Sequence, residues 1–276
     1  ASTEFLRARG VPSPRLEAEL LIGHALTLTR VQVYLQFDRP LLPPELESIR
    51  GLVRRRGNRE CLAYVVGHKE FFGREFLVQP GVLVPRPDTE TLIESLLAAI
   101  PLDAPCFVAD IGSGSGCIGL TLAAERPEVR VYAVDPSEIA IACTRANVEA
   151  MGLKERVAVL RGQWLDPIPP QRAIDWVVSN PPYIPSGEIA QLEPEVRDFE
   201  PRLALDGGVD GLALYRKLIP LAAARARAGV AVEVGQGQAP IVADWMAEAG
   251  LVDVTTTTDL SGTPRVVLGK KTKLIG

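Results

Sequence analysis

The chain is short of the residues that most often announce a catalytic or metal site. His24 and His68 are its only histidines, so imidazole-based catalysis is not expected, and both are read as ordinary structural or surface residues. Cys61, Cys106, Cys117 and Cys143 form no C-x-x-C pair and have no histidine at metal-ligand spacing. They are read as reduced thiols, and a structural zinc site is not expected. Positive charge is also not in surplus: the formal net charge is −4. A protein that coats nucleic acid by bulk electrostatics needs a basic field, so direct nucleic-acid binding is not expected. Arg54-Arg55-Arg56 and Lys270-Lys271 are the tight basic clusters and are read as solvated faces. No apolar run approaches the ~18 residues of a membrane span, and the opening stretch ASTEFLRARG lacks the apolar centre of a secretory signal. The expected compartment is therefore the cytoplasm, away from membranes.

What is present is a core-forming composition, 47% apolar over 276 residues. That length suits one large domain, alone or with a small one. Up to about residue 66 the chain reads as helices broken by prolines. Ser13-Pro14 is a helix start, with Ser as cap and Pro in the first turn; Leu16, Leu20, Leu21 and Leu28 then fall near one face. Pro43-Pro44 starts a second helix carrying Leu46, Ile49, Leu52 and Val53. A bundle of this size has little core of its own, so residues 1–66 are expected to dock on a partner or substrate. Residues 67–87 contain a Gly-Arg and a Pro-Gly turn between short β-prone runs and read as a hairpin-like linker. Residues 88–276 then show a helix followed by strands alternating with helices. The predicted strands are 106–111, 131–135, 157–160, 174–179, 230–234, 252–256 and 265–268, and the predicted helices 117–125, 137–151, 211–226 and 238–249. This alternation predicts an α/β fold around a mainly parallel sheet.

The stretch FVADIGSGSGCIGL is a strand, a glycine loop and a helix start. Ligands of open α/β sheets bind at the carboxyl ends of the strands, and glycines at 112, 114 and 116 let backbone approach a ligand. Asp135 ends the next strand, where an acid accepts hydrogen bonds from ribose hydroxyls. Gly114, Gly116 and Gly119 also spell G-x-G-x-x-G, so a nicotinamide-dependent oxidoreductase is a rival reading. It fits less well, because that fingerprint should begin at the strand end, which is Gly112. Trp164, after the third strand, is placed to cover a flat ring, or else fills the core.

VVSNPPYIPS ends the fourth strand on Asn180-Pro181-Pro182-Tyr183. Pro181 has no N–H and fixes φ, so the strand cannot continue, and Asn180 is pushed toward extended geometry. The Asn180 side-chain oxygen and the Pro181 carbonyl become two acceptors at a set separation, with the Tyr183 ring beside them. Two such acceptors suit a planar NH2: the amino group of adenine or cytosine, or a carboxamide. Gripping both hydrogens orients the nitrogen lone pair, an aromatic face stabilises developing positive charge, and in-line placement against a sulfonium methyl supplies rate by proximity.

The tetrapeptide with the 112–116 loop resembles the amino-methyltransferases of DNA bases and protein glutamine. VLVPRPDTETLIE, LEPEVRDFEPRLALDGGVDGLALYR and DLSGTPRVVLG, with SPRLEAELLIGHAL and RECLAYVVG, are similar to the bacterial peptide chain release factor glutamine methyltransferases, the HemK/PrmC family. The resemblance implies a class I methyltransferase (Rossmann-like) α/β fold with a mainly parallel seven-stranded sheet and a small N-terminal helical bundle. It implies N5-methylation of the glutamine in the Gly-Gly-Gln motif of class 1 release factors by a monomer. S-adenosyl-L-methionine would be the methyl donor and S-adenosyl-L-homocysteine the product. It places cofactor contacts on Asp110, Gly112, Ser113, Gly114, Ser115, Gly116, Asp135, Trp164 and Asn180, and the glutamine-binding, catalytic motif on Asn180, Pro181, Pro182 and Tyr183. Two positions depart from the family pattern: Gln163 stands where Asp is usual, and Cys61 where Pro is usual. Methylation of a ribosomal-protein glutamine is the nearest alternative, with PRPDTE as discriminator; a DNA adenine methyltransferase lacks support from any target-recognition insertion.

Overall fold

The structure is a computed structural model that describes residues 1–272; residues 273–276, the end of the segment read as 88–276, lie outside the described residues. Five helices open the chain: α1 (Ser2–Ala8), α2 (Pro14–Leu26), α3 (Arg30–Leu35), α4 (Pro43–Gly57) and α5 (Leu62–Val66). Their core is small, built on Leu6, Val11, Ala18, Leu21, Ile49, Val53 and Val65. Pro14 does begin α2, but the Ser13 side chain makes no cap hydrogen bond. Leu16 and Leu20, expected on the buried face, are both 39% exposed. The buried stripe of α2 runs instead through Glu17, Ala18 and Leu21, because an ion pair is part of it.

That pair also corrects the reading of the arginine cluster as a solvated face. Arg56 is 3% exposed and bonds Glu17 of α2 through two guanidinium nitrogens. A third contact, 2.8 Å long, reaches Glu195 far along the chain, and Arg59 grips the same carboxylate with bonds of 2.7 and 2.6 Å.

A hairpin follows, β1 (His68–Phe71) against β2 (Arg74–Leu77), antiparallel. Then come α6 (Glu90–Ala99), β3 (Cys106–Ile111), α7 (Cys117–Glu125), β4 (Val129–Asp135), α8 (Glu138–Ala150), β5 (Val157–Arg161) and β6 (Trp176–Ser179). After β6 lie a one-turn helix α9 (Pro194–Arg197), α10 (Ala213–Arg225), β7 (Gly229–Glu233), α11 (Ala239–Glu248), β8 (Val252–Thr258) and β9 (Pro264–Lys270). Seven strands form one sheet in the order β5-β4-β3-β6-β7-β9-β8. The first five run parallel, and β9 is antiparallel to both β7 and β8. Fold class and strand number are as expected.

The central strands are apolar on both faces, as strands covered on two sides by helices must be; every residue of β6 and β7 is buried. One core layer packs α6 and α7 on the sheet, where Leu92, Ile93, Leu96, Leu120 and Leu122 are fully buried, each side chain contributing ~1.5–3 kcal/mol. The opposite layer packs α10 and α11, with Tyr215, Leu218, Ile219, Val242 and Met246 fully buried. The threonines of β8 are mostly exposed and suit a solvated edge. Helix α10 starts at Ala213, later than the expected 211, because Asp210 accepts from the Leu212 N–H and forms a turn first. Among the described residues no helix is long and apolar enough to cross a membrane, and no cluster of ligating side chains could hold a metal ion.

The Glu195 carboxyl shows which effect wins at the arginine node. Burial raises its pKa, but the Arg59 and Arg56 hydrogen bonds outweigh burial and leave it below the ordinary 4.5. The Glu195 share of the node's stability is therefore complete above about pH 4.5 and is lost as the pH falls through its lowered value. Replacing Arg56 by Ala strands the Glu17 carboxylate and leaves Glu195 to Arg59 alone; the two side chains keep 12% and 14% exposure, so the expected loss is about 2–3 kcal/mol, under that of a fully desolvated pair. Urea denaturation at pH 7 and pH 4 checks both parts: the deficit should be large at the first pH and shrink at the second.

Candidate functional site

The chain runs β3, β4, β5 to one side of the sheet and then crosses back to lay β6 beside β3 on the other. Strand order therefore reverses between β3 and β6, and the carboxyl ends of these strands border a crevice. Asp110 pairs in register with Val178, so Gly112 and Asn180 leave the sheet side by side. A cavity of roughly 340 Å³ lies there. Its wall takes in Gly112, Ser113, Gly114 and Ser115, then Asp135, then Gln163 and Trp164, then Asn180, Pro181 and Pro182.

The glycine loop is locked from behind. The N–H groups of Gly112 and Ser113 both donate to the Val134 carbonyl, at 2.8 and 3.0 Å. The Gly114 carbonyl accepts from the Thr144 hydroxyl at 2.9 Å, and the Ser115 carbonyl from Asn147 Nδ2 at 2.9 Å. Gly112 and Gly114 have φ of +74° and +59°, where side chains are strained, and a Cβ on either would meet nothing within 4 Å. The open side of the loop is thus space for a ligand. At Gly116 a Cβ would lie 2.9 Å from Leu120 and 3.0 Å from Thr144, and Gly116 is not on the cavity wall. That counts against the dinucleotide reading, in which Gly116 would be the point of close approach.

Asp135 is 8% exposed. Its carboxylate accepts from the Gly114 N–H at 3.0 Å and the Ser137 N–H at 2.8 Å. Burial raises its pKa, with those two bonds opposing. A carboxylate has about four acceptor positions, so both oxygens retain capacity for ribose hydroxyls. Trp164 sits at φ +51°, a left-handed conformation costing a non-glycine ~1–3 kcal/mol, and its partly buried ring borders the cavity. Asp110 is fully buried and off the wall. It accepts from the Gly119 N–H at 2.9 Å and ties α7 to β3; burial pushes its acid up to about 7.

The tetrapeptide is held at several points. Ser179 donates to the Ile111 carbonyl at 2.6 Å, fixing β6 to β3 at their ends. Asn180 Nδ2 donates to Thr89 Oγ1 at 3.2 Å. Neither Asn180 Oδ1 nor the Pro181 carbonyl is taken by a donor among the described residues. Tyr183 is not on the cavity wall; its ring packs on the core layer of α10 and α11, its hydroxyl donates to Glu233 at 3.3 Å, and its carbonyl accepts from Gln238 at 2.9 Å. Gln163 lies on the wall beside Trp164. Cys61 precedes α5, half-buried and away from the cavity.

Several contributors escape a motif search. Residues 81–86 and Thr89 form one side of the cavity, and Tyr64 of α5 fastens that segment by donating to the Val82 carbonyl at 2.5 Å. Glu233 and Gln238 brace the tetrapeptide from behind. Glu233 did carry a signal: it is an acid closing an otherwise apolar strand, at the same edge as Asp135.

Comparison with known proteins adds to this geometry. Residues 1–67 match the PrmC N-terminal domain family and residues 76–192 the methyltransferase small domain family. The release factor glutamine methyltransferase of Geobacter sulfurreducens is 46% identical over 268 residues, covering 96% of this chain and 93% of the relative. The chain belongs to the release factor glutamine methyltransferase family. The Caulobacter vibrioides member is 39% identical over 276 residues, 99% of this chain and 95% of that one. A solved methyltransferase from Pyrococcus furiosus, 20% identical, shares the fold with a TM-score of 0.52 over 73% of this chain and 90% of its own.

The loop after the tetrapeptide comes close enough to demand glycine. A Cβ on Gly211, at φ +74°, would lie 2.3 Å from the Tyr183 carbonyl oxygen and 2.6 Å from Gln238. Gly211→Ala is expected to cost about 2–4 kcal/mol from left-handed strain plus overpacking. Urea denaturation measures the loss, and Gly187→Ala, which meets nothing within 4 Å, should fall within about 0.5 kcal/mol of the parent.

Proposed function

We propose that this chain transfers a methyl group from S-adenosyl-L-methionine to the N5 amide nitrogen of the glutamine in the Gly-Gly-Gln motif of class 1 peptide chain release factors. The observation that carries the reading is the pair of free acceptors, Asn180 Oδ1 and the Pro181 carbonyl, at the same sheet edge as the open glycine loop. The relatives from Geobacter and Caulobacter, both release factor glutamine methyltransferases, support the substrate.

Gly112 to Ser115 would hold the cofactor by close backbone approach, Asp135 its ribose hydroxyls and Trp164 its adenine ring. When bound, that group supplies an electrophilic methyl on a sulfonium. The chain's own task is to make a poor nucleophile reactive. An amide nitrogen shares its lone pair with the carbonyl; two acceptors holding both N–H bonds turn that lone pair toward the methyl and favour a pyramidal nitrogen. Transfer would form the N–C bond while the C–S electron pair returns to sulfur. The nitrogen becomes acidic and releases one proton, so no charged base is required beforehand. Pro181 and Pro182 fix the acceptor geometry, and Tyr183 anchors it from behind.

The helices of residues 1–66 would contribute the grip on a large protein substrate. Val31, Leu35 and Phe37, in and just after α3, are 67%, 75% and 86% exposed and offer apolar surface for it.

Asn180→Ala removes one of the two acceptors and should lower kcat by about 10²–10³-fold while weakening cofactor binding. Incubation with labelled S-adenosyl-L-methionine and a class 1 release factor, a ribosomal-protein substrate or DNA, followed by mass spectrometry, should place the label on the Gly-Gly-Gln glutamine. Label elsewhere, or near-normal turnover by the variant, would contradict the assignment.

A further inference from the structure

Glu233 closes β7 with no exposed surface at all. One carboxylate oxygen accepts from the Tyr183 hydroxyl at 3.3 Å; the other has no partner among the described residues. The acid faces the Thr89 hydroxyl, which favours its charged form. Thr89 is 2% exposed, and its Oγ1 accepts from Asn180 Nδ2 at 3.2 Å. A hydroxyl has a single hydrogen to donate. With Oγ1 accepting from Asn180, that hydrogen is free for the acceptor behind it, the Glu233 carboxylate. Closing the contact from that hydroxyl to the open Glu233 oxygen would run the donor sequence one way, from the Asn180 amide N–H through Thr89 to Glu233.

We propose that Glu233 is a positioning residue for the methyl-accepting amide: acting through Thr89, its ionised carboxylate sets which end of the Asn180 amide faces the cavity. A neutral Glu233 can donate to Thr89 instead. The hydroxyl is then free to donate to Asn180 Oδ1, and the inverted amide would present N–H groups to a substrate NH2, donor against donor. This inference rests on the reading that Asn180 Oδ1 receives the glutamine amide.

The groups around Glu233 make ionisation the natural control. Tyr183 follows β6, Tyr215 of α10 donates to the Glu233 backbone carbonyl at 2.8 Å, Arg265 lies on β9, Asp88 and Thr89 precede α6, and Cys117 starts α7. Burial pushes the acid up to about 7, opposed by the Thr89 hydroxyl, Arg265 and the Tyr183 hydroxyl, and reinforced by Asp88. Because the working form is the charged one, positioning is present above about pH 7 and lost below it.

The experiment is methyl transfer to a class 1 release factor from pH 6 to 8.5 with saturating S-adenosyl-L-methionine. The parent kcat should fall about 5–10-fold from pH 8 to pH 6, following the ionised fraction. Glu233→Gln keeps the shape but can donate to Thr89; its kcat at pH 8 should drop about 10-fold or more and its profile should be flat over this range. Thr89→Ser, which keeps the hydroxyl, should stay within about threefold of the parent, whereas Thr89→Val should match Glu233→Gln. The threonine pair leaves the carboxylate in place and serves even if the glutamine variant folds poorly. A parent rate in Glu233→Gln, an acid limb that survives in that variant, or equal losses in Thr89→Ser and Thr89→Val would each overturn the relay alone. No transfer to the release factor by the parent chain would overturn the function, and the relay with it.

Discussion

The parallel pairing of β3 with β6, set by Val108 opposite Trp176 and Asp110 opposite Val178, brings together two segments that lie far apart in sequence. The glycine loop and the tetrapeptide meet only because the chain, having laid β4 and β5 to one side, returns to β3 on the other. The return fits because all four residues of β6 are buried and are apolar apart from Ser179, whose hydroxyl is spent on the Ile111 carbonyl. A one-residue slip of β6 would turn its alternate side chains to the opposite layer and carry Asn180 away from Gly112.

Around this pairing the molecule spends polar contacts on holding backbone still. Val134 receives two loop N–H groups, Asp135 two more, and Gln238 bridges the Gly235 N–H and the Tyr183 carbonyl. Asp259 organises its own turn through Ser261 and Thr263 and pairs with Arg265, which also pairs with Asp88. In this way the stretches around PRPDTE and DLSGTPR, remote in sequence, meet behind Asn180. The arginine node does the same at longer range: Arg56 and Arg59 of the helical segment hold Glu195 in the loop that follows the tetrapeptide.

Much of the architecture was legible because its signals are local. Short β-prone runs alternating with helical ones mark the strands, and all seven strands of the sheet overlap the predicted ones. Readings failed where a distant partner changes the meaning of a residue. Arg56 has the surroundings of a surface cation, yet Glu17 and Glu195 bury it. Leu16 and Leu20 look like core positions, yet the ion pair takes part of that face. Tyr183 looks like a ring beside the substrate, yet Glu233 and the α10–α11 layer draw it behind the wall.

The sequence by itself determined the local geometry: a proline that ends β6 for want of an N–H, glycines that accept positive φ, and a strand that ends on Asp135. These follow from covalent structure and hold wherever the segment is placed. Tertiary structure decided which of these groups share a cavity, which arginines are buried and which hydroxyl Asn180 meets. Those depend on strand order and on charge partners up to 139 positions apart. No local pattern encodes such distances, since they exist only once the sheet has closed around β3.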